Sequence, residues 1–394
     1  MPRIFKCPAA AETQAIARAF QATIAERLRH QTLRPLHPDA LPPDTDLLRL
    51  HDALASCGIS PNELSWARGL VKASGAYRAR FDGDLRRFQQ PVPARYRAGN
   101  TDPRRKRIVF FDTGLTYDDQ TWRAFEMTSA QGQRLNLLGS LSEALPWDAG
   151  DLDDNPATIH DHGEWVMKES AAALARLHER ARLHADQFPL LFPVKIWNHY
   201  DLVNFAIGGG LRPGRELPPS TDFTHLHLIL RAVAPRLINM SGAFSSADPA
   251  RYVELRNELV RLGAVLVAAA GNQRVNLDEP GYPFPWPAKL TDPYGHRLSN
   301  VVVVTTVDEK LNVTGNWGPR FVDAAVIAPT TSQAAAHITT VLHVAYELTP
   351  GCEKTKRPAD ILRALSKRLS NAHGIPVIEP SQLSRAELES ACRK

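Results

Sequence analysis

Residues 264–272 read AVLVAAAGN, seven apolar residues in a row closed by Gly271 and Asn272. A run this short, without the alternation of a half-buried strand, fits a strand covered on both faces. IVFFD (108–112), LLFPVKIW (190–197), LINMS (237–241) and NVVVVTTVD (300–308) have the same texture. Segments with apolar residues at helical spacing lie between and after them: GEWVMKESAAALARLHERARLH (163–184), THLHLILRAVA (224–234), PARYVELRNELVRLG (249–263) and TSQAAAHITTVLHVAYEL (331–348). Buried strands alternating with helices predict an α/β fold with a mainly parallel central sheet flanked by helices. In such folds, sites gather at the carboxyl ends of the strands.

Four polar residues stand where that rule points. Asp112 ends IVFFD, and Gly114 permits a sharp exit from the strand. His162 lies in HDHGEW at the start of a long helix, Asn272 closes AVLVAAAGN, and Ser332 opens the helix TSQAAAH. Each has an ordinary structural reading: Asp112 and Ser332 as helix or turn caps, His162 as a solvent histidine, Asn272 as a turn residue. Together they suit acyl transfer, which needs a hydroxyl, an imidazole to take its proton, a carboxylate to orient that imidazole and a donor for the oxyanion.

The chain order Asp, His, Asn, Ser and the words around these residues resemble the subtilisin-like serine proteases (subtilases) over roughly residues 106–375. FFDTG is similar to that family's aspartate motif, and DHGEWV to its histidine motif, where His-Gly-Thr-His-Val-Ala is usual; the histidine carried over is His162, not His160. LINMSGA resembles the Asn-Met-Ser segment that walls the substrate cleft, and VAAAGNQ is the strongest match. SNVVVVTTVD and TGNWGPRFVDAAVIAP lead into TTSQAAAH, which stands where Gly-Thr-Ser-Met-Ala-Ser-Pro-His is usual; His337 keeps the later histidine position. The resemblance implies a subtilisin-like three-layer fold and a serine endopeptidase acting on a peptide or protein substrate. Ser332 would be the nucleophile, His162 the base, Asp112 its orienting carboxylate and Asn272 the oxyanion donor. Ser241, Gly242, Ala243, Gly271, Thr330 and Thr331 would line the substrate. This chemistry needs no metal or cofactor, and no acidic cluster has calcium-loop spacing.

The sequence also departs from the family's pattern. Thr330 replaces the leading Gly of the serine motif and puts a side chain where substrate backbone would approach closely. Ala336 replaces its Pro, a change that helix propensity tolerates. The hairpin before the serine motif is missing, because VIAP (326–329) runs directly into TTS. Glu164 and Trp165 replace Thr-His; Glu164 suits a helix start and brings negative charge towards the imidazole, and Trp165 is expected to pack. Thr330 and the missing hairpin leave a second reading, a non-catalytic peptide-binding protein with a blocked cleft. A third reading, that DTG marks an aspartic protease, lacks the second DTG or DSG that would supply the paired carboxylate.

The whole chain of 394 residues is 43% hydrophobic and 23% charged, a globular composition. Its net charge of +5, from 47 Lys and Arg against 42 Asp and Glu, is too mild and dispersed to argue for nucleic acid. No apolar run approaches the roughly 20 residues of a membrane span. The beginning MPRIFKCPAAAET has no apolar stretch of signal-peptide length, so a cytoplasmic location is expected, with specialised export open. The four cysteines (Cys7, Cys57, Cys352, Cys392) are widely spaced, and reduced thiols are expected. Residues 1–100 are expected to form a helical accessory region, with helices in AETQAIARAFQATIAERL (11–28), DLLRLHDALASC (46–57) and PNELSWARGLVKAS (61–74). That region reads as an inhibitory lid, a docking module or packing. Residues 101–107, ending in RRKR, are expected to form a basic linker, either solvated or a processing or docking site, and 108–394 the catalytic domain with a C-terminal helical tail.

Overall fold

The computed structural model describes residues 92–141, 162–196, 226–242, 251–281, 286–292, 294–366 and 373–393. The helices expected before residue 75 lie outside the described residues, as does Ala243. Seven strands form one sheet: β1 (Arg107–Asp112), β4 (Leu190–Lys195), β5 (Leu237–Met240), β6 (Val265–Ala269), β7 (Val301–Val307), β8 (Ala324–Ile327) and β9 (Val377–Ile378). Their order is β4-β1-β5-β6-β7-β8-β9, and every pairing is parallel. The strand at 264–272 behaves as its sequence requires, with all of β6 and β7 buried. A small antiparallel pair, β2 (Glu126–Thr128) and β3 (Arg134–Asn136), stands apart.

Helices cover the sheet in a three-layer α/β arrangement: α1 (Ala94–Ala98), α2 (Asp119–Ala124), α3 (His162–Ala181), α4 (Leu226–Val233), α5 (Arg251–Leu262), α6 (Thr331–Leu348), α7 (Cys352–Thr355), α8 (Pro358–Leu365) and α9 (Arg385–Arg393). From Thr331 to Tyr346, every residue of α6 but Gln333 is buried. A helix enclosed all round belongs in a core. It packs along α3 and against β5, β6 and β7.

The chain leaves β1 for β4 on one side and then returns to β5 on the other, so β1 sits at the topological switch point. Asp112 is its last residue.

One expectation needs correction. Cys352 and Cys392 are joined in a disulfide rather than held as thiols. α9 folds back against α6 and brings their Cα atoms within 5.5 Å, inside bridging range. A spacing of 40 residues could not show that.

Within RRKR, Arg104 and Lys106 are exposed but Arg105 is not. Arg105 is 3% exposed and donates to the carbonyls of Phe188, Asn136 and Pro189. Burial pushes its guanidinium down to about 10, still cationic at neutral pH. Arg107 opens β1 and donates to the Val233 carbonyl at 2.6 Å, while Arg104 pairs with Asp102 at the surface.

The boundary near residue 100 also falls inside packed structure. Tyr96 is buried against Tyr117 and Trp122, and its hydroxyl donates to the Asp118 carbonyl at 2.8 Å.

Candidate active site

β1 delivers Asp112 to the carboxyl edge of the sheet, and Gly114, at φ +102°, turns the chain away. α3 begins at His162 directly against this turn. Gly163 makes the approach possible, because a Cβ there would lie 2.7 Å from the Gly114 carbonyl oxygen and 3.0 Å from Asp112 Cβ. The Gly163 N–H donates to Thr113 Oγ1 at 2.9 Å, closing one open donor of the helix start.

His162 Nδ1 is 2.7 Å from Asp112 Oδ1. A carboxylate only accepts, so Nδ1 carries the proton and Nε2 presents its lone pair. Ser332 Oγ lies 3.1 Å from Nε2 and 3.4 Å from the Ser241 carbonyl oxygen. The carboxylate, the imidazole and a hydroxyl 170 positions beyond it thus form one chain of hydrogen bonds.

The start of α6 accounts for its own donors in an orderly way. Thr330 is the N-cap, its hydroxyl accepting from Gln333 N at 3.3 Å. Ala334 N donates to the Thr330 carbonyl at 3.1 Å, and Thr331 N donates to Asn272 Oδ1 at 3.0 Å. Among the described residues, Ser332 N–H alone in this turn has no acceptor, and it sits at the positive end of the helix.

Asn272 is positioned from behind. Its Oδ1 also accepts from Thr331 Oγ1 at 3.1 Å, which turns the Nδ2 amide to the opposite side of the group. Thr331 Oγ1 in turn accepts from Gly271 N at 3.2 Å. Gly315 gives Thr331 its room, since a Cβ there would lie 2.5 Å from Thr331 Cγ2.

The residues expected to line a substrate divide. Gly242 is half-buried. Ser241 and Thr331 are buried, and their hydroxyls are used internally. Ser241 donates to Asn239 Oδ1 at 3.0 Å and Thr331 serves Asn272. Thr330 is half-buried and turns its hydroxyl into the helix. The reading of Ser332 as a cap fails for the same reason, because Thr330 fills that position.

Glu164 accepts from Thr116 N at 3.1 Å and Thr121 Oγ1 at 2.9 Å and pairs with Lys168, so its charge ties α3 to the 113–121 segment. Trp165 packs on the core, its ring 6.0 Å from that of His162. Sequence reasoning placed Ser241 on the substrate side and gave Thr113, inside FFDTG, no role; the structure uses both hydroxyls as internal supports.

The chain resembles the subtilisin-like serine proteases. A cold-adapted subtilisin-like serine proteinase overlaps it at 16% identity, over 73% of this chain and 92% of that one, with a TM-score of 0.44. A mutant of the protease domain of PatA does so at 14% identity, over 74% and 98%, with a TM-score of 0.38. The epidermin leader peptide processing serine protease EpiP of Staphylococcus aureus matches at 13% identity over 74% and 76%, with a TM-score of 0.42. No family model matches the sequence, and no curated protein does. Among the described residues, no helix is long and apolar enough to cross a membrane and no three metal-ligating side chains cluster.

Proposed function

We propose that this chain is a divergent subtilase, a serine endopeptidase that hydrolyses peptide bonds through Asp112, His162 and Ser332. The carrying observation is the continuous contact from Asp112 Oδ1 through the imidazole to Ser332 Oγ, at 2.7 and 3.1 Å. In this reading Ser332 Oγ attacks the scissile carbonyl while Nε2 takes its proton, and Asp112 balances the imidazolium. The negative charge on the carbonyl oxygen meets two donors, Ser332 N–H and Asn272 Nδ2. Nε2 then gives the proton to the leaving amine, and a water repeats the sequence to free the acyl group and restore Ser332.

A fluorophosphonate probe on the full chain, with the adduct located by mass spectrometry, tests this. Label is expected on Ser332 and is expected to vanish in Ser332→Ala. An unlabelled but folded wild-type chain would favour the non-catalytic peptide-binding reading instead.

A further inference from the structure

His162 rides on α3 and Ser332 on α6, so the Nε2–Oγ separation depends on how these helices lie against each other. Their seam carries a polar cluster near its catalytic end. Glu169, seven residues beyond His162, accepts from Gln333 Nε2 at 2.7 Å through Oε2. The same oxygen is 3.4 Å from Nε2 of His337, and Arg176 approaches that nitrogen at 3.4 Å from α3. Gln333 follows Ser332 directly, and His337 lies on the next turn. Gln333 Oε1 is buried without a partner, so among the described residues the Glu169 bond is the only hydrogen bond of the Gln333 side chain.

We propose that Glu169 is a positioning residue: through Gln333, with His337 behind it, Glu169 fixes the first turn of α6 against α3 and thereby sets the approach of His162 Nε2 to Ser332 Oγ. This rests on the endopeptidase reading. A hydrogen bond to a carboxylate is roughly twice as strong as a neutral one. This one joins a residue adjacent to the nucleophile to the helix of the base. A drift of about 1 Å between reacting groups costs on the order of 10²-fold in rate. A second bridge across the seam, Ser170 Oγ to Thr340 Oγ1 at 2.8 Å, lies farther from Ser332 and supplies a structural control.

The test measures the maximal inactivation rate and the apparent affinity of a fluorophosphonate probe on the full chain, alongside Tm. Glu169→Ala is expected to slow the maximal rate about 10- to 100-fold while leaving probe affinity within about twofold. Glu169→Gln keeps an acceptor for Gln333 and should restore most of the rate. Gln333→Met should match Glu169→Ala, and the double variant should be no slower than either single one, as expected of a coupled pair. Ser170→Ala should lower Tm and spare the rate. Wild-type labelling with an unchanged rate in Glu169→Ala would overturn the positioning role alone, as would equal slowing in Ser170→Ala. A wild-type chain that takes no label would overturn both it and the endopeptidase reading.

Discussion

At the residue scale, the helix start at 330–334 separates roles that the sequence runs together. Thr330 caps, Thr331 orients Asn272, and Ser332 sets its hydroxyl against His162 Nε2 with its N–H left open. Substitutions should divide in the same way. Asn272→Ala removes the Nδ2 donor and also the Oδ1 acceptor of buried Thr331, so turnover is expected to fall roughly 10²–10³-fold and stability by about 1–3 kcal/mol. Thr330→Ala removes a cap and is expected to cost about 1 kcal/mol of stability, and Thr330→Gly only a few tenths; both should keep probe labelling near the wild-type rate. A marked gain in labelling by Thr330→Gly would instead restore the idea that this side chain obstructs the cleft.

At the scale of elements, α6 carries a buried titratable group three turns beyond Ser332. His343 Nε2 donates to the Gln187 carbonyl at 2.9 Å, and its Nδ1 faces Arg236 at 3.2 Å. Arg236 is itself ion-paired with Glu347, and Arg105 adds a more distant positive charge. Burial, then Arg236, push the imidazole well below its ordinary value. A histidine held neutral in the fold binds fewer protons than its unfolded counterpart, whose pKa is about 6.5. Its contribution is therefore fully present above that pH and is lost as the pH falls below it. His337, lowered by burial and by Arg176, acts in the same direction. The carboxyl of Glu347, raised by burial against the pull of Arg236, acts oppositely, from the ordinary carboxylate value upward. Tm is expected to fall between about pH 7.5 and about pH 5.5, the window around the unfolded histidine value, and His343→Gln to flatten most of that slope. The tie between α7 and α9 is tested separately. Cys392→Ser opens a loop spanning 40 positions, and chain entropy puts the loss at about 3–4 kcal/mol, read from denaturant unfolding with and without reductant.

At the scale of the molecule, the sheet was largely legible because buried parallel strands write themselves as unbroken Val, Ile, Leu and Ala runs. β6 and β7 are the clearest cases. β9, two residues long, left no periodic signal, and neither did the short β2–β3 pair. Arg105 shows the opposite failure. In RRKR it looks like its neighbours, yet three carbonyls from distant segments bury it. Composition reports charge but not which guanidinium the fold encloses.

The sequence by itself determined the α/β class, the order of the strand-end residues and the motifs around Asp112, His162, Asn272 and Ser332. These are local properties, since hydrophobic periodicity and turn chemistry are carried by consecutive residues. Only the tertiary structure decided that Thr330 and not Ser332 caps α6, that Cys352 meets Cys392, and that Glu169 reaches Gln333 across 164 positions. The last two depend on the packing of elements far apart in the chain, and the first on the turn that this packing imposes at Thr330. No spacing within any one element encodes them.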